Sequence, residues 1–252
     1  MLSMLLAVLL LLAAPLPVGA APPAPYGQRA RDYVITFAEE FDQGLSAQRW
    51  HDTIWYEDPN PTINYAVEDG ALKIWPQRDA DGRFFNRTIT TDGHFSQTYG
   101  YFEMEAKLPK GKGVWPGFWL LNHEGAARPE IDIMEAYPGG GQSSGWSDSQ
   151  LHPTTYAVTV WRDADMQAAF KKIAGSDLSA SFHHYAVQWD ENKISFYFDG
   201  KSVLTTKLQL DSPMSIFLDL WFGSASGQPD ASTPTGKSNA FEIRYVRAWR
   251  FR

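Results

Sequence analysis

The sequence predicts an all-β fold, a sandwich of two packed antiparallel sheets, and three observations carry that expectation. Short runs of alternating apolar and polar residues recur along the 252-residue chain, punctuated by glycine, proline and aspartate turns. After the first 20 residues no segment shows the long apolar stripe of an amphipathic helix. Asp199-Gly200, between Phe198 and the next run, is a two-residue hairpin signal. Many short strands in a chain of this size bury their apolar faces by stacking two sheets.

Residues 1–20 hold no charged side chain and include the apolar run Leu5-Leu6-Ala7-Val8-Leu9-Leu10-Leu11-Leu12, closed by Pro15 and Pro17. Val18-Gly19-Ala20 supplies small residues for a cleavage site, so 1–20 reads as a signal peptide that lacks the usual positive start. A retained anchor is the alternative. Residues 21–31, rich in proline and alanine, are expected to be a disordered linker, and 32–252 one domain. A secreted or periplasmic location follows from the leader. The absence of cysteine means that such an exported domain relies on its core instead of disulfides.

Strands are expected at 71–75, 101–108, 130–136, 155–161, 184–189, 193–198, 214–222 and 241–251, with a further aromatic strand after the Gly111-Lys112-Gly113 turn. The segment 101–108 reads as a strand with one wet face, because Glu103, Glu105 and Lys107 alternate with apolar residues. His183 and His184 open a strand and read as surface or structural. The net charge of −7, spread without long runs, argues against nucleic acid or an anionic membrane as partner and disfavours a strongly anionic substrate. A monomer is expected.

The segment Glu130-Ile131-Asp132-Ile133-Met134-Glu135 is the most informative in the chain. It places three carboxylates in what is otherwise a buried strand, and an ionised acid away from water costs several kcal/mol unless it is paired. Alternation puts Glu130 and Asp132 on one face and the isoleucines on the other, and would send Glu135 into the core. A β-bulge around Met134 would return Glu135 to the acidic face. Two glutamates so placed, with carboxyls about 5 to 6 Å apart, suit covalent attack and proton delivery in a retaining glycosidase. Asp132 between them would hold a proton or hydrogen-bond Glu130, and at least one pKa should be raised. Trp115 and Trp119, four apart in a strand, share a face, where they would stack on a sugar or fill the core.

The segments FSQTYGYFE, LPKGKGVWPGFWLL and EIDIME, in that order, resemble glycoside hydrolase family 16, the group of laminarinases, lichenases and agarases. The spacing E-x-D-x-x-E is similar to its laminarinase-like branch. Thinner similarity extends along the mature chain, from FAEEFD at 37–42 to YVRAW at 245–249. The resemblance implies a concanavalin A-like jelly roll with a concave cleft, with Glu130 as nucleophile, Glu135 as acid and base, and Asp132 tuning Glu130. It also implies a polysaccharide partner, β-1,3 or β-1,3/1,4 glucan or a bacterial exopolysaccharide with such linkages, cut internally. Transglycosylation and a lectin-like binding module are the alternatives. His152, Asn86 and Trp221 are further candidate sugar contacts.

Two departures stand out. Relatives often carry an asparagine-leucine-alanine segment followed by two glycines, where this chain has Asp219-Leu220-Trp221-Phe222-Gly223. Many also hold a structural calcium with a ligand just before the terminal Tyr-Val-Arg, where this chain has Arg244, a cation that cannot ligate calcium. No other metal or cofactor is expected.

Overall fold

The computed structural model describes residues 23–124, 127–140, 153–164 and 166–252. The leader at 1–20 and His152 lie outside them. Among the described residues no helix is long and apolar enough to cross a membrane.

The chain forms β1 (Tyr33–Glu39), β2 (Tyr65–Glu68), β3 (Ala71–Ile74), β4 (Arg87–Thr90), β5 (Ser96–Gln97), β6 (Gly100–Lys107), β7 (Val114–Leu121) and β8 (Glu130–Ala136). It continues with β9 (Thr155–Asp163), β10 (Met166–Ala174), β11 (His183–Trp189), β12 (Ile194–Phe198), β13 (Lys201–Thr206), β14 (Met214–Phe222) and β15 (Phe241–Phe251). These strands make two antiparallel sheets of a jelly-roll sandwich. One runs β13-β12-β11-β6-β15-β3-β2, with β1 also on β15; the other runs β10-β9-β8-β7-β14-β4, with β5 also on β14. The long β15 seats two partners along one edge, β3 against Phe241–Ile243 and β1 against its second half.

Alternation explains the core between the sheets. Phe102, Met104 and Ala106 from β6 and Tyr185, Val187 and Trp189 from β11 meet Phe118 and Leu120 from β7 and Ile216, Leu218 and Leu220 from β14, all fully buried. The Asp199-Gly200 turn joins β12 to β13 with Phe198 opposite Lys201, and both turn residues have positive φ (46° and 73°). That is the geometry of a two-residue hairpin whose twist matches its strands.

The segment 21–31, expected to be disordered, is in its described part packed across the outer face of the larger sheet. Trp249 Nε1 donates to Pro23 O at 2.8 Å, Tyr26 N donates to Glu103 Oε2 at 2.9 Å, and the Tyr26 ring stacks on His184 at 3.7 Å. Its prolines favour an extended course that cannot complete a ladder, while Tyr26 supplies an aromatic anchor. The same cover corrects the wet face expected of β6: Tyr101 and Glu103 are buried beneath it. His183 is structural, with its ring between Ser176, Ser181 and Asp199. Before the terminal Tyr-Val-Arg, Arg244 Nη1 donates to Glu105 Oε1 at 3.1 Å and its guanidinium lies 3.7 Å from the Phe182 ring centre. A guanidinium placed so offers no oxygen to a cation at this position.

Burial raises the Glu103 carboxyl to about 7, against the lowering effects of the Tyr245 hydroxyl, the Tyr26 amide and the Arg247 charge. The folded chain therefore keeps a proton that the unfolded chain releases near 4.5. Stability from this group is greatest at acid pH and is lost as pH rises through that window. In thermal melts, Glu103→Gln should reduce the decline in midpoint between about pH 5 and about pH 7.5 relative to the parent; parallel declines in the two proteins would show that Glu103 is not responsible.

Candidate active site

The outer face of the smaller sheet carries the site, and β8 lies near its middle. Against β7, Met134 pairs with Phe118 and Asp132 with Trp119, which leaves Ile133 as an extra residue. Against β9 the register likewise shifts between Asp132 and Glu135. This is the bulge expected from the acid spacing, centred on Ile133 and Met134. Both of those side chains are buried in the core, so two successive residues point inward and Glu135 returns outward.

Glu130, Asp132 and Glu135 consequently line one cleft of about 160 Å³, together with Tyr56, Trp115, Gly117, Trp119, Asp219 and Trp221. Asp132 is buried, with the half-buried glutamates on either side of it. Trp161 Nε1 donates to Asp132 Oδ2 at 3.1 Å. Trp115 Nε1 and the Tyr137 hydroxyl both donate to Glu135 Oε1, at 3.1 and 2.9 Å.

Electrostatics separate the three acids. Burial, with Glu130 and Glu135 beside it, pushes Asp132 well above the usual carboxylate range, so it is the protonated member that donates. Burial also raises Glu130, but the hydrogen bond from Asp132 opposes the rise by favouring its ionised form. Glu135 is pushed up to about 7, by burial and then by the Glu130 charge, against the lowering effect of Tyr137, Trp115 and Asp132. The arrangement sets a glutamate whose rise is opposed by Asp132 beside one that stays protonated to near neutrality.

The three expected platforms have different surroundings. Trp115 is half-buried, its ring 5.7 Å from Tyr137 and 5.3 Å from Trp221. Trp119 is buried, stacked on Phe217 at 4.5 Å, with its indole N–H donated to Asp219 Oδ2 at 2.8 Å. Trp221 is fixed by a 2.9 Å bond from its indole N–H to Thr88 Oγ1. Asn86, expected among the sugar contacts, does not line this cleft. Its amide donates to Glu57 Oε1 and accepts from the Phe222 amide, so both ends brace the β4 and β14 termini.

Four participants escaped the sequence reading. Tyr56, exposed and edge-on to Trp221, comes from a loop with no periodic signal. Tyr137 follows the 130–136 strand and Trp161 ends the 155–161 strand, positions with no pattern that marks a role. Asp219 was noted only as a departure, yet it is a fourth cleft carboxyl. Gly117 is opposite Glu135 on one side and Asp219 on the other, and an added Cβ would be 2.4 Å from Asp219 Oδ1.

Aromatic planes and grouped carboxyls on the outer face of a jelly-roll sheet define a carbohydrate-type cleft. Residues 54–247 match the Glycosyl hydrolases family 16, and the chain belongs to that family. It is similar to two endo-1,3-1,4-beta-glycanases of Rhizobium meliloti (strain 1021). EglC is 31% identical over 211 residues, covering 77% of this chain and 42% of that protein. ExsH is 30% identical over 213 residues, covering 80% and 43%. The chain thus spans less than half the length of either. Among solved structures it is similar to the catalytic domain of an endo-1,3-beta-glucanase (laminarinase) from Thermotoga petrophila RKU-1, at a TM-score of 0.70 and 26% identity over 88% of this chain and 99% of that one.

Gly117→Ala should displace the Asp219 carboxylate and cost about 1 to 3 kcal/mol, the usual penalty for overpacking. Denaturant unfolding measures it, and an unchanged midpoint would show that the cleft floor yields freely.

Proposed function

We propose that this chain is an exported, endo-acting retaining hydrolase of a neutral β-glucan, with β-1,3 or mixed β-1,3/1,4 linkages, or of a bacterial exopolysaccharide containing them. The observation that carries this reading is the bulge in β8, which sets two glutamates on one face with a buried Asp132 between them. The names of the similar glycanases and laminarinase support the substrate class. Among the described residues lining the cleft none is cationic, which favours an uncharged polysaccharide over one rich in uronate or sulfate. The apolar leader supports export.

In the first step Glu130 attacks the anomeric carbon while Glu135 gives its proton to the departing glycosidic oxygen. Trp115 and Tyr137 both hold Oε1 of Glu135, which leaves the carboxyl proton to Oε2. Asp132, donating to Glu130, keeps the nucleophile ionised, oriented and a fair leaving group for the second step. There, Glu135, now ionised, takes a proton from water as that water attacks the glycosyl-enzyme, and the sugar leaves with its anomeric configuration retained.

Two outcomes are expected. Glu130→Ala should bind laminarin or lichenan oligosaccharides with near-parental affinity while losing turnover by roughly three orders of magnitude or more. Incubating the parent with laminarin, lichenan, agarose and bacterial exopolysaccharides, with products read by mass and linkage, tests the substrate class; binding without release from any of them would leave a lectin, and products longer than the starting oligomers would mark a transferase.

The pH profile tests the acid. Because Glu135 must be protonated, kcat/KM should fall as pH rises above about 7. Tyr137→Phe removes a hydrogen bond that favours the ionised form, so this basic limb should move upward by roughly one pH unit. A limb that stays in place in the variant would assign it to another group.

A further inference from the structure

Residues 23–29 cross the outer face of the larger sheet as extended chain and turns, with no ladder to any strand. Besides the Trp249 and Tyr26 hydrogen bonds described above, Gln28 N closes a turn onto Pro25 O at 3.0 Å. Gly27, at φ 72°, lies so close to the Gly200 turn that a Cβ there would be 3.0 Å from Gly200 Cα. Tyr26 is 47% exposed although one face of its ring is stacked. Surface segments held by so few bonds open locally, at free energies far below that of global unfolding.

Beneath this segment lies a group of ionisable side chains that the cleft does not use. Glu103 on β6 accepts the Tyr26 amide at Oε2 and the Tyr245 hydroxyl at Oε1, and is 1% exposed. From β15, Arg247 lies 3.7 Å from the Tyr245 ring centre, with its guanidinium bonded twice to Glu40 at 2.7 Å. Tyr101 and Glu105 flank Glu103 on the same face of β6. On β11, His184 stacks on Tyr26 with the two rings within 9° of parallel. It is opposite Glu105 in the β6 pairing, Asp199 Oδ1 is 3.7 Å from its Nδ1, and His183 precedes it. One short segment thus caps a carboxyl with its backbone and an imidazole with its ring.

Uncovering acts on these two groups in opposite senses. Burial holds Glu103 up to about 7, so the closed form favours its proton. Burial lowers His184, against the raising effects of Glu105 and Asp199, so the closed form disfavours its charge. When water reaches both, the carboxyl releases a proton and the imidazole takes one up.

We propose that residues 23–29 are a releasable strap clasped over Glu103 and His184, and that its opening moves a proton from the carboxyl to the imidazole. The products are a carboxylate and an imidazolium, so the net charge is unchanged. Glu103 alone would loosen the strap as pH rises from about 4.5 through about 7. His184 alone would loosen it as pH falls below about 6.5. Together they hold the strap closed over the interval in which each by itself would release it. The inference is independent of which sugar the cleft takes.

Hydrogen exchange of the Tyr26 amide and the Trp249 indole N–H, read by NMR in the full chain and corrected for the intrinsic pH dependence of exchange, reports the closed fraction. In His184→Phe, which keeps a ring under Tyr26, protection should fall by about 50-fold between about pH 5 and about pH 7.5. In Glu103→Gln, protection should instead fall as pH is lowered over the same range, and the parent should lie between the two. Parallel pH dependence in the three proteins would overturn the proposal. So would a Tyr26 amide that exchanges only together with core amides such as those of Val187 and Leu218. If Glu103→Gln does not fold, a steeper fall in His184→Phe than in the parent supports the proton exchange, and equal slopes overturn it.

Discussion

The arrangement of the cleft depends on one extra residue in β8. Without the bulge at Ile133 and Met134, strict alternation would place Glu135 in the sandwich interior, among Ile131, Phe118 and Val158, where an unpartnered carboxyl costs several kcal/mol. With it, two apolar residues enter the core in succession, and three acids share the outer face. The stabilisation comes from the inward side: both bulge side chains are fully or almost fully buried. The core thus supplies the free energy that keeps three mutually repelling carboxyls together, which their own hydrogen bonds only partly offset.

This geometry was readable from residues, since a period-two pattern that breaks once, with isoleucine and methionine at the break, admits few alternatives. Strands 130–136, 214–222 and 241–251 match their observed bounds for the same reason: each is long, apolar on one face and ended by turn residues. β10 was not foreseen because Met166–Ala174 is rich in alanine and lysine and pairs with β9 through two register shifts, so no clean alternation survives in its sequence. Asn86 could not be placed from sequence, because a polar residue before a strand looks the same whether it meets a sugar or braces a loop. Tyr56 and Asp219 could be placed only by register and loop packing, which join residues more than 100 positions apart.

The outer face of the larger sheet shows a related constraint at work. Tyr101, Glu103 and Trp249 would be half-wet on an open sheet, but the segment beginning at Pro23 covers them. Proline-rich composition signalled the lack of a regular ladder there, and extended backbone without a ladder still docks when an aromatic anchor and a buried acceptor are present. Glu103 is that acceptor, satisfied by a backbone amide and a tyrosine hydroxyl instead of water.

Neutral aromatic donors, with no cation beside them among the described residues, set the chemistry of the cleft. Trp161 serves Asp132, Trp115 and Tyr137 serve Glu135, and Trp119 serves Asp219. A lysine or arginine in any of these places would pull the neighbouring carboxyl down by about one to three pKa units and leave no proton for a departing sugar. Indole and phenol groups orient an oxygen while lowering its pKa less, so Glu135 can remain near 7 despite accepting two hydrogen bonds. The same rings present the flat apolar surface on which a pyranose packs. Binding surface and proton inventory are therefore one set of side chains, and replacing any of these aromatics alters both the fit of the sugar and the charge of the acid behind it.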